Sequence, residues 1–252
     1  MVNLNRIYTR TGDAGRTRLS DMSWAAKTDP RVMAYGDVDE ANSIIGVALA
    51  IGGVPDEVAG ALRLIQNELF DVGADLSNPL SDNPPYPPLR IEQASIDRLE
   101  AWCDEFTEQL PNLSSFILPG GVPAAAHLHQ ARTVTRRAER TAWAAIEAYG
   151  TGPATDEESV GGINLLAVTY LNRLSDLLFI LTRVVNGESG DILWVPGGER
   201  LPEDHRALRR RARITEHANA LDEGHPTSSS AEEGTADTSA EGQPTDTSAD
   251  TH

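Results

Sequence analysis

PAAAHLHQARTVTRRAERTAWAAIEAY, residues 123–149, carries the fold in its spacing. Leu128, Ala131, Thr135, Ala138, Ala142, Ala145 and Tyr149 recur in steps of three and four, which puts them on one face of a helix. Most of these side chains are small, and a seam of small residues lets neighbouring helices approach closely. Beside the seam runs ARTVTRRAER, Ala131 to Arg140. Arg132, Arg136 and Glu139 stand at i, i+4 and i+7 on one flank, and Arg137 and Arg140 point elsewhere. Two readings fit these charges. For an isolated helix, a solvated face laced with i,i+4 pairs is the simpler one. Arginine forks also match polyphosphate geometry.

Outward from this helix the chain reads as all-α. A first helix is predicted over about 38–51 and a second over 56–76, where Val58, Leu62, Ile65, Leu69, Val72 and Leu76 repeat at helical spacing. The five prolines within 78–88 make that stretch a loop. A third helix spans 92–110 and ends at Pro111. The fifth runs over 164–186, with Gly187 as its stop. Five helices with short or moderate links form a bundle. Residues 1–30, polar and glycine-bearing, read as an ordered loop or short extended segment ahead of a bundle over 31–214.

From Thr215 onward there is no Lys, Arg or aromatic residue, and Leu221 is the one large aliphatic. Such a segment buries too little apolar surface to offset its ordering entropy, so 215–252 is expected to be a disordered acidic tail. It holds nine acidic residues, against a net charge of −17 for the whole chain of 252 residues. The body is therefore mildly acidic, which argues against a general nucleic-acid binder. Cys103 is the only cysteine, so no intrachain disulfide or thiolate cluster forms, and a reduced cytoplasm is the natural setting. No apolar leader or membrane-length apolar run is present.

Other chemistry is sparse. Helix five contains YLNRLSD, with Asn172 and Asp176 one turn apart in an apolar stretch. A structural Asp–Arg pair is the simpler reading there, and a nucleotide-orienting Asn the sharper one. TRTGDAGRT, Thr9 to Thr17, has the glycines and exposed amides that wrap an anion, and equally the composition of a plain turn. There is no Walker motif, GxGxxG, HExxH or Glu-x-x-His pair, and no protein metal ligand is assigned. His127 and His129 read as surface or capping residues, and Cys103 as a small core residue.

Taken in order, TRTGDAG, RVMAYGDVDEANS (31–43), FILPGG (116–121), ARTVTRRAER and YLNRLSD resemble the PduO-type ATP:cob(I)alamin adenosyltransferases, over roughly residues 6–195. The resemblance implies a homotrimer of five-helix bundles that moves the 5'-deoxyadenosyl group of ATP to the cobalt of cob(I)alamin and releases triphosphate, with Mg2+ accompanying ATP. It places Thr9, Arg10, Thr11, Gly12, Thr17, Arg18 and Lys27 in the N-terminal part of the ATP site. Arg136, Arg137, Glu139, Arg140 and Asn172 complete that site from the bundle. Arg132 would pair with Asp39 of a neighbouring subunit, Phe116 would pack against the lower corrin face, and Asp176 would orient the site. A reductase and an adenosylcobalamin-dependent mutase are the implied protein partners. An ATP-sensing module without chemistry, and a scaffold that delivers adenosylcobalamin to a client, remain open as alternatives.

Overall fold

The computed structural model describes residues 8, 10–155, 159–197, 213 and 216. The chain divides after Val195 into two units. Of the second, Pro196, Gly197, Arg213 and Glu216 are described, the last two in helical conformation. The expected acidic tail, Glu216 apart, lies outside the described residues, as does Thr9.

The first unit is a five-helix bundle: α1 (Pro30–Ile51), α2 (Asp56–Leu76), α3 (Gln93–Glu108), α4 (Pro123–Tyr149) and α5 (Leu165–Asn186). Ahead of it stands a small antiparallel hairpin, β1 (Arg16–Arg18) and β2 (Trp24–Ala26), with Thr17 opposite Ala25. The periodicity located α2 and α4 at their observed ends. It missed the first two turns of α1, where the buried face begins with the charged Arg31 and only then continues as Ala34 and Val38. Capping marks the true start: the Asp29 side chain accepts from Arg31 N at 2.8 Å, and Pro30 follows in the first turn.

α4 packs between α1 and α5, and its seam is why it fits there. Ala124, Ala125, Ala131, Ala138, Ala142 and Ala145 are all buried. They face Ala34, Ala41 and Ala48 of α1 and the leucines of α5 within one core cluster. α3 covers α5, and α2 covers α1. α5 is long and apolar enough to cross a membrane by composition alone. In this fold it is a core helix, with Ala167, Leu171, Leu174, Leu178 and Leu181 among its buried side chains.

One buried cation ties the loops to the bundle. Arg31, 1% exposed, donates to Leu76 O at 3.0 Å, Gly161 O at 2.6 Å and Gly162 O at 3.3 Å, and its guanidinium lies 5.1 Å from the Tyr149 ring centroid. It satisfies carbonyls that no helix partner reaches. Gly161 must be glycine, since a Cβ there would sit 1.8 Å from Leu80 O. Arg31→Met should therefore lower the unfolding free energy by roughly 3 kcal/mol, measured by urea denaturation, because it leaves Leu76 O and Gly161 O buried and unpaired. A loss below about 1 kcal/mol would show that water replaces the guanidinium.

Candidate functional site

Five arginines of the bundle hold carboxylates: Arg90 with Asp75, Arg98 with Glu68, Arg137 with Asp37 and Glu40, Arg173 with Glu100 and Asp176, and Arg183 with Asp191, while Arg31 holds carbonyls. Three on α4 hold none among the described residues. Arg132, Arg136 and Arg140 stand one turn apart. Arg136 Nη1 reaches only Ser175 Oγ, at 3.5 Å, and Arg140 Nη1 donates to Arg136 O at 3.0 Å. Arg132 is half-buried, and its Nε has no partner. Burial, and then the neighbouring Arg136 cation, push the Arg132 pKa below the usual arginine range. Like charges held together in this way are relieved by an anion.

α5 supplies the other wall. Asn172 Nδ2 donates to Glu139 Oε1 at 2.9 Å, so these two expected site residues clasp each other beside the arginine row. Asp176 is exposed and engaged by Arg173 at 3.1 Å. Burial, then Asp176, raise the Cys103 thiol to about 11, so it stays protonated at neutral pH and is no nucleophile.

Arg137 points away from Arg136. It turns to α1, where Nε meets Asp37 Oδ1 at 2.9 Å and a second nitrogen meets Glu40, while Thr141 Oγ1 donates to Asp37 Oδ2 at 2.8 Å. The hydrogen bond to Asp37 raises its pKa. One position along a helix is about 100° of rotation, which separates Arg137 from Arg136. His129 differs from the surface residue expected. It is 2% exposed with neither ring nitrogen bonded, and burial, then Arg132, push its pKa down.

The N-terminal residues form a second cationic surface. Arg18 stacks 4.1 Å from the Trp24 ring centroid and Arg16 5.7 Å from it, which holds both side chains above the hairpin. A Cβ at Gly12 would sit 3.2 Å from Lys27 Nζ, so the glycine admits the lysine head to the loop backbone. Arg10 takes a left-handed turn conformation, φ 62°. Thr17 is half-buried and bonds Tyr35. Ser20 N donates to Ser77 O at 3.1 Å and docks the hairpin on the end of α2. Between hairpin, α1 and α2 lies a cleft of about 460 Å³, whose lining includes Arg18, Ser20, Tyr35, Asp39, Asn42 and Phe70. Within one chain no bond joins Arg10, Thr17, Arg18 or Lys27 to the α4 row, nor Asp39 to Arg132.

Phe116 projects from a two-stranded ledge. Ile117 pairs antiparallel with Leu193, Trp194 N donates to Phe116 O at 2.7 Å, and Leu118 N to Ile192 O at 2.8 Å. The ring is 79% exposed and meets Trp194 edge-on, with centroids 6.1 Å apart. Gly121, φ +103°, closes the ledge where a Cβ would strike Asn186 Oδ1 at 1.9 Å. That oxygen accepts from Val122 N, at 3.1 Å, at the start of α4.

A helical bundle with an unneutralised arginine row, a cationic hairpin and an aromatic ledge defines a polyanion-handling protein with an apolar second site. Residues 7–185 match the family described as Cobalamin adenosyltransferase. A corrinoid adenosyltransferase of Mycobacterium tuberculosis (strain H37Rv) is 59% identical over 199 residues, spanning 79% of this chain and 97% of that protein. A phenylalanine-to-histidine variant of the PduO-type ATP:corrinoid adenosyltransferase from Lactobacillus reuteri, complexed with cobalamin and ATP, superposes with TM-score 0.66 at 34% identity, covering 78% of this chain and all of that one. An arginine-to-lysine variant of the same enzyme, complexed with ATP, gives TM-score 0.62 at 36% identity over 75% of this chain and all of its own. The chain belongs to the cobalamin adenosyltransferase family.

Arg31, the Asp75–Arg90 clasp and Trp194 were not singled out from sequence. Thr28-Asp-Pro, which caps α1 and so locates Arg31, was the one signal present for any of them. The contrast on α4 gives a stability test. Arg137→Ala should lower Tm by a few degrees, as expected for loss of a partly screened ion-pair cluster worth about 1 kcal/mol. Arg136→Ala should leave Tm unchanged or slightly higher at low salt, since it removes repulsion on Arg132. An equal fall in both would mean that Arg136 is a structural cation.

Proposed function

We propose that this chain transfers the 5'-deoxyadenosyl group of ATP to the cobalt of cob(I)alamin and releases triphosphate. The observation that carries the reading most directly is the row Arg132, Arg136 and Arg140, left without carboxylates in a family of corrinoid adenosyltransferases. In the reaction the cobalt of the substrate is the nucleophile. A Co–C5' bond forms as the C5'–O bond breaks, and the electron pair leaves with triphosphate. No general base is needed.

The protein's work is alignment and charge stabilisation. Arg136 and Arg140 hold the departing triphosphate from the bundle side, and Arg10, Arg18 and Lys27 hold it from the hairpin side. Thr9, Thr11 and the backbone at Gly12 complete the loop around it, and Thr17 braces the hairpin on Tyr35. Glu139 and Asn172, clasped at 2.9 Å, orient the nucleoside. Asp176 steadies this wall through Arg173. Arg137 acts from behind, fixing α4 on α1 through Asp37 and Glu40 rather than touching ATP.

The two cationic surfaces do not bond to each other in one chain, which favours a homotrimer whose sites lie between copies. There Arg132, with its orphaned Nε, would meet the Asp39 carboxylate of a neighbour. Among the described residues no group of three or more His, Cys, Asp or Glu is placed to hold a metal. A Mg2+ would then be held chiefly by the triphosphate oxygens, and it would add charge neutralisation to that of the arginines. Phe116 would occupy the lower face of the corrin and exclude an axial ligand there. The free, protonated Cys103 suits a reducing cytoplasm, where a reductase would supply cob(I) and a mutase would take the product.

The test is to mix the protein with ATP, Mg2+ and chemically reduced cobalamin, and to follow the absorbance of the cobalt–carbon product and the release of triphosphate. The wild type should turn over, and Arg136→Ala should lose about 100-fold in kcat/KM, as for removal of a charged transition-state donor. Normal turnover by Arg136→Ala would remove the arginine row from the mechanism.

A further inference from the structure

The ledge that presents Phe116 is better anchored than a surface loop needs to be. With Ile117 opposite Leu193, the register sets Phe116 beside Trp194 and Leu118 beside Ile192, and the two-residue period puts all four on one side. That side is apolar and exposed, with Trp194 itself 39% exposed. Ser115 Oγ adds a bond to Trp194 O at 2.8 Å. Behind Trp194, Asp191 is gripped by Arg183 Nε at 2.8 Å in a nearly buried pair, and Arg183 Nη2 donates to Pro111 O at 2.7 Å. Asn186 links the same carboxylate, at 3.4 Å, to the α4 start through Val122 N. The turn Gly187–Ser189, closed by Gly190 N to Gly187 O at 3.1 Å, holds the strap to the end of α5.

These bonds fix one thing at the surface, the edge of Trp194 against the ring of Phe116. Among the described residues the exposed Phe116 ring has no other aromatic contact, and its interplanar angle of 70° with Trp194 is the edge-to-face arrangement that aromatic quadrupoles favour. We propose that Trp194 is a positioning residue for corrinoid adenosylation: its edge sets the plane of Phe116, and the four-residue apolar side receives the lower face of the corrin. The inference rests on the reading of Phe116 as the residue beneath the corrin. A Phe116 ring free to rotate would leave room for a lower axial ligand on cobalt. The ring set by Trp194 does not.

The experiment compares Trp194→Ala, Trp194→Phe, Trp194→Leu and Phe116→Ala as full-length enzyme with ATP bound. The readouts are the absorbance spectrum of bound cob(II)alamin, which distinguishes four- from five-coordinate cobalt, and KM for corrinoid and for ATP. Trp194→Ala should lower the four-coordinate fraction and raise the corrinoid KM by roughly three- to tenfold, the range an edge-to-face pair supports, with the ATP KM unchanged. Trp194→Phe should recover most of both, since it keeps an aromatic edge. Trp194→Leu fills the space without one and should behave as Ala does, which decides the matter if the alanine variant loses the thermal shift caused by ATP. Wild-type spectra and KM in Trp194→Ala, or full recovery by Leu, would overturn the proposal. If Phe116→Ala is also indistinguishable from wild type, the reading of Phe116 itself fails. If only Phe116→Ala is impaired, the failure belongs to Trp194 alone.

Discussion

The close contact of α4 with α1 and α5 through a seam of alanines is the constraint on which the rest depends. A helix bearing large side chains at 124, 125, 131, 138, 142 and 145 would stand further from both neighbours. At the observed separation, Arg137 reaches Asp37 on one side, and Asn172 reaches Glu139 on the other. The seam also leaves Arg132, Arg136 and Arg140 without an ion-paired carboxylate among the described residues, the nearby Glu139 being held by Asn172. Folding therefore produces charge frustration at one place, and Arg132, with its lowered pKa and orphaned Nε, records it. That frustration is what an anionic substrate relieves.

Elsewhere in the bundle, buried carboxylates are held by several donors each. Asp75 is shared by Arg90, Ile91 N and Asn164 Nδ2, and Glu68 by Arg98 and Tyr170. Arg31 closes the loops around 76 and 161 onto the start of α1. These clasps join segments far apart in sequence, so they brace the bundle against which the hairpin and the Phe116 ledge are set. The hairpin docks on the α2 terminus through Ser20, and the ledge docks on the α5 terminus through Arg183 and Asn186.

Helix positions were legible because apolar spacing is a local signal, and α2 and α4 show it over five turns or more. The start of α1 was not, since its buried face begins with the charged Arg31 while the apolar Met33 is exposed, although Asp29-Pro30 spelled the cap. The arginine row was legible as a cluster, but the division of labour within it was not. Whether Arg136 or Arg137 is already paired depends on carboxylates about a hundred residues earlier, at Asp37 and Glu40. Likewise, His129 reads as an ordinary polar residue until the packing encloses it. Trp194 lies nearly eighty residues from Phe116, and no periodicity connects them.

The central claim is that the α4 row of one copy and the hairpin cations of another make one site. Mixing two inactive chains tests it most directly, one carrying Arg136→Ala and the other Lys27→Ala, reassembled together and assayed for adenosylation. If each site draws one half from each of two neighbouring copies, random mixing restores up to about a quarter of wild-type activity, because that share of interfaces pairs two intact halves. Activity that stays at the level of the separate variants would mean that both halves serve one chain, and would contradict the account.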